Sequence, residues 1–501
     1  MSDSKAYKNI FKTTFLFGFV QVFNILVKVG TNKAVALLLG AEGMGVIGLF
    51  NSAINMIKTG AGLGVSQSAV RDISEANGSN DYNRFSKIIS LTNRVIIFTS
   101  LLGIIVTIIL SPFLSKWSFG DNAYTLSFIW LSLVVGLNIL SEGQLAILKG
   151  MRQLKALAKA SMIGSVVGLV TAIPFYYFFG KGGIVPSLII TALSALFFSN
   201  YFVRKIEYDR IKLKVKEIIT EASPMIKMGV ALMLVSFIGY LFDLIVSSFI
   251  RHSGSLSDVG FYQAGTTIVG GYFGVIITAM STDYYPRISA VHKYKEKLQD
   301  EMNKQSETGL ILLFPLVVLF VFLSSFIVKF LYSSDFHDTT YYTDYAMLGT
   351  VIIIVSNAMG MILLAKQAAN IFIYSVLFQR LVLVAVYLSL YKLYGILGLG
   401  FSYVVTGILH ILTVSFILNR FYDIRLSNKV LKLLLLIISI TLITIFVRNI
   451  NSYVLRYSLG AVFFLGSLIY SNKYMKDNMD IDFIGLINSK LRKRNEETNK
   501  K

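Results

Sequence analysis

Apolar residues run through this chain in long stretches broken by short polar gaps. A helix needs about 20 apolar residues to cross the hydrocarbon core of a bilayer. Stretches at 13–39, 45–70, 88–113, 123–148, 157–179, 183–203, 226–250, 259–285, 308–330, 345–365, 371–391, 395–419, 430–448 and 453–471 meet that length. They predict an all-α polytopic membrane protein with about fourteen transmembrane helices. Lys5, Lys8 and Lys12 precede the first stretch, as in a signal peptide. No small-residue cleavage site follows, so the stretch is read as a retained first span.

Basic residues fall in alternate gaps. One set of segments holds Arg71, Arg84 and Lys87, then Lys149, Arg152, Lys155 and Lys159, then the run from Arg204 to Lys227. It continues with Arg287 to Lys304, Arg420 to Lys432 and the tail with Arg492-Lys493-Arg494. The opposite segments carry only Lys116, Lys181, Arg251, Lys329, Lys392, Arg448 and Arg456. The bias toward one side predicts both termini in the cytoplasm. It predicts turns on the outer side, too short for an extracellular domain.

The basic stretch 206–222 divides the chain into an N-lobe, 1–205 with helices 1–6, and a C-lobe, 223–421 with helices 7–12. Helices 13 and 14 occupy 422–472, and 473–501 is a cytoplasmic tail expected to be disordered. Gly45-Val46-Ile47-Gly48-Leu49-Phe50-Asn51 at the start of helix 2 is echoed by Asp258-Val259-Gly260-Phe261-Tyr262-Gln263 at the start of helix 8. Helix 8 comes six helices after helix 2, so the two repeats share one orientation and are related by an axis along the membrane normal.

Polar residues inside the apolar stretches keep helical spacing. Gln21, Asn24, Lys28 and Thr31 share a face, as do Asn51, Asn55, Lys58 and Gly62. Ser236, Tyr240, Asp243 and Ser247 repeat the pattern, followed by Gln263, Thr267, Gly270 and Gly274. Arg380 and then Tyr403, Thr406, His410 and Thr413 extend it. Single polar residues often join helices by hydrogen bonds. Three mid-membrane cations, Lys28, Lys58 and Arg380, point instead to a hydrated central cavity. Among carboxylates only Asp243 reads as deep, placed for contact with Lys28, while Glu142 sits two turns from Lys149 and is expected to pair with it. Lys28, Lys58, Arg380, Asn24, Asn55 and Gln263 are therefore the candidate cavity residues. Asp243 and Glu142 are candidates for ion coupling. A cationic cavity suits an anionic cargo such as a diphosphate or acidic sugar.

Composition agrees with this reading and removes others. The 501 residues are 55% hydrophobic and 15% charged, with a mean hydropathy of +0.67. There is no cysteine, so disulfides and thiol chemistry are excluded. His252, His292, His337 and His410 lie too far apart to suggest a metal site. The net charge of +20 follows from the loop bias and does not imply nucleic acid. No phosphate-binding loop, nucleophile elbow or zinc-protease motif occurs. No cofactor is expected, and transport would be driven by H+, Na+ or the substrate gradient.

Three stretches carry a family resemblance: Leu26-Val27-Lys28-Val29-Gly30, Leu37 to Val46 with its Gly40-Ala41-Glu42-Gly43, and Gly60-Ala61-Gly62-Leu63-Gly64-Val65-Ser66. Together with Lys149-Gly150-Met151-Arg152 they resemble the Wzx flippases for O-antigen and common-antigen units, in the multidrug/oligosaccharidyl-lipid/polysaccharide exporter superfamily. The resemblance implies a two-lobed, V-shaped, alternating-access transporter and no enzyme. It implies a substrate, undecaprenyl-diphosphate-linked glycan, carried from the cytoplasmic to the periplasmic leaflet of a bacterial inner membrane. Lys28 and Lys58 match the family's basic cavity positions. A polysaccharide polymerase and a chain-length regulator are candidate partners. Fourteen helices is also the number of the lipid II flippase branch. An organic-cation exporter would need cavity carboxylates, and a glycan polymerase or ligase would need a large outer loop.

Overall fold

A computed structural model describes residues 2–79, 81–212, 214–448 and 450–479. The basic tail, with Arg492-Lys493-Arg494, lies outside the described residues. The described chain is helical throughout, without a strand. Its α-helices are α1 (Ser2–Ala61), α2 (Val65–Gly78), α3 (Tyr82–Phe119), α4 (Thr125–Gly150), α5 (Leu154–Phe179), α6 (Ile184–Val203) and α7 (Val215–Ser253). They continue as α8 (Leu256–Thr266), α9 (Gly274–Val291), α10 (Lys295–Leu331), α11 (Thr339–Ala365), α12 (Ala369–Tyr422), α13 (Asn428–Arg448) and α14 (Tyr453–Met479). A π-helical segment, Thr267–Phe273, joins α8 to α9. Its wider turn shifts Thr267, Gly270 and Gly274 off a regular α-helical stripe.

Among the described residues, 11 continuous helices are long and apolar enough to cross a membrane. Fourteen spans were expected. The difference arises at three turns so tight that helix continues on both sides. Gly40 turns α1 at φ 66°, ψ −169°, and Gly395 turns α12 at φ 60°, ψ −139°. Only glycine adopts such angles without a steric cost. The third turn is the single 3₁₀ turn Gly180–Gly183 between α5 and α6. α14 also runs farther than the expected 453–471, to Met479.

The chain forms two compact units. The first comprises Met1–Ala264 and Leu331–Asp335, and the second Gly265–Phe330 and Phe336–Lys501. In the first, α3 packs on α4, α5 on α6, and α7 packs against α1, α2 and α3. The second arm of α1 runs antiparallel to α7, as the pairs Ser52–Asp243 and Gly64–Gly229 show. At several glycines the approach is to backbone. A Cβ on Gly45 would lie 2.0 Å from the Leu256 carbonyl oxygen, and one on Gly260 2.0 Å from that of Ala41. A Cβ on Gly48 would lie 2.4 Å from Gln263 Cγ. The two glycine motifs that read as repeats thus meet in one interface.

Each unit also contains a strap. In the first, residues 206–211 cross the end of α3. The Asp209 and Ile211 amides donate to Ser86 Oγ and Ser90 Oγ, both at 3.2 Å. In the second, residues 423–429 run along α10. The Arg425 amide donates to Gln299 Oε1 and the Ser427 amide to Asn303 Oδ1, both at 3.0 Å. Ion pairs Lys295–Asp423 and Lys429–Glu307 end this ladder. The Lys295 hydrogen bond and charge hold the Asp423 carboxyl below its ordinary range. The registers match because four helical residues rise about 6 Å and two extended residues advance about 6.6 Å. Ser86 and Ser90 recur as Gln299 and Asn303, so the strap is repeated along with the glycine motif.

Among the described residues, the second unit holds a deeply buried ion pair. Arg448, expected in an outer turn, is the last residue of α13 and donates to Asp344 of α11 and Ser324 of α10. Asp344 is 1% exposed and Arg448 12%. The expectation that Asp243 is the only deep carboxylate is therefore corrected. Asp344 lies one residue before the span expected at 345–365, where an acidic residue reads as interfacial.

Replacing Gly45 by Val forces branched atoms onto a backbone carbonyl that cannot rotate away. The expected cost is about 1–3 kcal/mol from overpacking, read as a lower melting midpoint in detergent. Gly239→Ala, where a Cβ would meet nothing within 4 Å, is the control and should not lower it. Equal midpoints for Gly45→Val and wild type would show that the interface is looser than described.

Candidate functional site in the first unit

The structure brings most of the candidate residues together on the first unit. Asn24 and Lys28 lie on the first arm of α1, Asn55 and Lys58 on the second, Glu142 on α4, Asp243 on α7 and Gln263 on α8. Arg380 belongs to the second unit.

On the first arm, Gln21, Asn24, Lys28 and Thr31 all stay at least partly accessible. Asn24 Nδ2 donates to Ser161 Oγ of α5 at 3.2 Å, and its Oδ1 is buried without a hydrogen-bond partner among the described residues. Lys28 is exposed. None of the ion pairs or hydrogen bonds of the described residues involves its ammonium. A lysine at mid-span costs about 2.5–3.5 kcal/mol on insertion scales, and nothing described here offsets that cost.

On the second arm the accessible face again carries the polar stripe. Asn51, Asn55, Lys58 and Gly62 are accessible, whereas Ser52, Ala53, Ile54, Met56 and Ile57 are buried. Lys58 Nζ lies 2.7 Å from Glu142 Oε1. Glu142 was expected to pair with Lys149. One turn of α4 faces α1, however, and Lys58 reaches it first. Lys58 is 17% exposed and Glu142 49%. As a pair they carry no net charge. They line a recess of about 70 Å³ with Thr59, Ser66 and Gln67, which has room for one or two waters, each filling about 30 Å³.

Asp243 accepts a 2.5 Å hydrogen bond from Ser52 Oγ, inside the α1–α7 interface. Ser52 was not among the residues singled out from the sequence. It lies off the accessible stripe, and only its packing against α7 reveals its role. Gln263 Nε2 donates to Ser247 Oγ at 3.2 Å. In the second unit Arg380 is half-buried, and His410 Nδ1 lies 2.8 Å from Ser356 Oγ. No group of three or more potential metal ligands occurs among the described residues.

Among the described residues, the first unit thus offers at Lys28 an ammonium without a hydrogen-bond or ion-pair partner, on a stripe of amides and hydroxyls, whereas Lys58 and Glu142 engage one another and Asp243 engages Ser52. The family model described as "Polysaccharide biosynthesis protein" matches residues 34–341. The chain belongs to the polysaccharide biosynthesis protein family. No curated protein matches it in sequence. Among solved structures, this family member is similar to the lipid II flippase MurJ in an inward closed conformation. That likeness has a TM-score of 0.68 at 14% identity, over 94% of this chain and 100% of that one. It is also similar to an inward-facing multidrug resistance transporter of the MATE family and MOP superfamily. There the TM-score is 0.61 at 16% identity, over 79% of this chain and 95% of that one. A third likeness is to a MOP superfamily transporter from Pyrococcus furiosus, described as having a binding pocket of reverse polarity. Its TM-score is 0.54 at 17% identity, over 80% of this chain and 94% of that one. These likenesses show a fold shared with flippases and exporters, and the 11 long apolar helices among the described residues agree with a multi-pass membrane protein. The similar structures are transporters and flippases, not enzymes.

The Lys58–Glu142 pair is testable by a double-mutant cycle. Lys58→Met and Glu142→Gln should each lower the melting midpoint, and the double variant should lower it by less than their sum. Solvent at Glu142 limits the coupling to about 0.5–1 kcal/mol. Strictly additive effects would show that the two groups do not interact.

Proposed function

We propose that this protein is a flippase for a lipid-linked oligosaccharide. In this reading it moves undecaprenyl-diphosphate-linked repeat units, such as those of O-antigen, from the cytoplasmic to the periplasmic leaflet of a bacterial inner membrane. Alternating access carries the polar headgroup through a cationic cavity, and the lipid tail stays in the bilayer. The family's part in polysaccharide biosynthesis supports a glycan cargo, and a solved lipid II flippase of the same fold supports a lipid carrier. Each arm on either side of Gly40, Gly180–Gly183 and Gly395 is taken as one crossing, with both termini cytoplasmic by the charge bias.

The observation that carries this reading is Lys28. An accessible ammonium without a protein partner, on a stripe of amides and hydroxyls, is equipped to hold a diphosphate. Asn24 and Asn55 are proposed to bind sugar hydroxyls, and Gln263 to extend that surface. Arg380 is proposed as a cationic residue of the second unit. Lys58 is proposed to act through its pair with Glu142. An organic-cation exporter is less well supported, because Asp243 and Glu142 already hold Ser52 and Lys58. Lipid II remains the second cargo reading, since the likeness to its flippase extends into α13 and α14.

The test follows the leaflet position of lipid-linked glycan in cells lacking the protein. Accumulation on the cytoplasmic face, relieved by wild type, is expected. Lys28→Ala should relieve it poorly at equal membrane abundance, because one charge-assisted hydrogen bond of about 1.5–3 kcal/mol is worth roughly tenfold or more in affinity. Lys28→Arg should retain most function. Full relief by Lys28→Ala would remove Lys28 from the site, and normal glycan delivery without the protein would remove the cargo class.

Asp243 and Glu142 are the proposed coupling carboxylates for H+ or Na+. Asp243→Asn keeps a hydrogen-bond acceptor for Ser52 but cannot ionise. Transport by this variant should lose its dependence on pH or sodium while the protein stays folded. An unchanged dependence would leave Asp243 a structural partner of Ser52.

A further inference from the structure

Beneath the strap of the first unit lies a cavity of about 600 Å³, within the size range of small-ligand sites. Its walls are α3, α4 and α6, and residues 206–211 close one end. The lining is unlike a lipid-facing crevice. It includes Arg94 of α3, Arg204 at the end of α6 and Arg210 of the strap, together with the strap carboxylates Glu207 and Asp209. Its floor is an amide chain. Gln144 Nε2 donates to Asn93 Oδ1 at 3.3 Å, and Asn93 Nδ2 donates to Tyr208 Oη at 3.2 Å. None of the ion pairs of the described residues involves Arg94, Arg204 or Arg210.

Two apolar stripes lead away from this cavity. Ile97, Leu101 and Ile105 are exposed at four-residue intervals on α3, and Leu193, Phe197 and Tyr201 do the same on α6. Four-residue spacing places each set on one helix face. The stripes begin where the arginines end, so a polar headgroup site continues into two surfaces suited to hydrocarbon. Basic pockets between helices near a membrane surface are established binding places for phospholipid headgroups.

We propose that this cavity binds a resident glycerophospholipid, separate from any cargo, whose headgroup carries hydrogen-bond donors beyond its phosphate. The phosphodiester is held by Arg94, Arg204 and Arg210. Glu207 and Asp209 accept from the headgroup's ammonium or hydroxyls, which excludes a quaternary ammonium as a good fit. The acyl chains lie on the α3 and α6 stripes. Because the strap supplies three of the charged groups, lipid and strap stabilise one another. The inference stands on the first unit alone and does not depend on the glycan reading.

The test is native mass spectrometry of the full chain in mild detergent. It is supplied with phosphatidylethanolamine, phosphatidylglycerol or phosphatidylcholine of identical acyl chains. Wild type should retain the first two about tenfold better than the third, the effect of one charge-assisted hydrogen bond. Glu207→Gln/Asp209→Asn should erase that preference, whereas Arg94→Gln/Arg204→Gln/Arg210→Gln and Ile97→Asn/Leu101→Asn should each weaken retention of all three lipids. If the triple variant melts early, Arg94→Gln alone serves, since Arg94 lies on α3 and not on the strap. Undiminished retention in the arginine variants, or undiminished preference in the carboxylate variant, would overturn the site. Equal retention of phosphatidylcholine by wild type would overturn the donor requirement. Displacement of the lipid by an equimolar amount of glycerol 3-phosphate would show a soluble phosphate site and overturn the lipid assignment.

Discussion

The first unit depends on the backbone contact between the second arm of α1 and the α7–α8 segment. Van der Waals packing and polar contacts, not water, hold helices together in a membrane. Gly45 and Gly260 allow carbonyl oxygens to approach to where a Cβ would otherwise stand. That approach brings Ser52 within 2.5 Å of Asp243. It also buries one face of the α1 arm, so Asn55 and Lys58 are left on the other. The polar stripe is accessible because the glycine face is occupied.

The intramembrane charges divide by how they are satisfied. Arg448 and Asp344 are buried together and bind α13 to α10 and α11. A pair so desolvated adds little net stability as a unit, but losing one partner alone is costly. Lys58 and Glu142 form a half-exposed pair that solvent already weakens. Lys28 has no such partner, and this difference separates the binding candidate from the structural ions. Charge count alone would have treated all three lysine and arginine positions alike.

Both units use one device to anchor the chain after a bundle of helices. An extended segment crosses a helix end, and its alternate amides meet side chains four residues apart. The commensurate rises of strand and helix make the ladder possible without distortion. In the first unit the strap closes the arginine-lined cavity. In the second it ends in ion pairs from Lys295 and Lys429.

Much of this protein was legible in its residues. Apolar run length predicts spans, because hydrocarbon demands internally satisfied backbone. Charge bias predicts orientation, and helical spacing identifies the stripes on which Asn24, Lys28, Asn55 and Lys58 lie. Three turns were placed correctly in position but not in kind, since a single glycine at Gly40 or Gly395, or one 3₁₀ turn at Gly180–Gly183, turns the chain without leaving a loop. The partners were not legible. Glu142 could meet Lys149 or Lys58, Asp344 could be interfacial or deep, and Ser52 had no mark of its own. Those outcomes depend on helix rotation and on contacts distant in sequence, such as Ser52 with Asp243 or Asp344 with Arg448. Periodicity along one helix carries no information about which neighbour its face will meet. The sequence by itself therefore determined which elements form and which faces are polar. Tertiary packing decided which charges are spent on one another and which are left without an ion-pair partner.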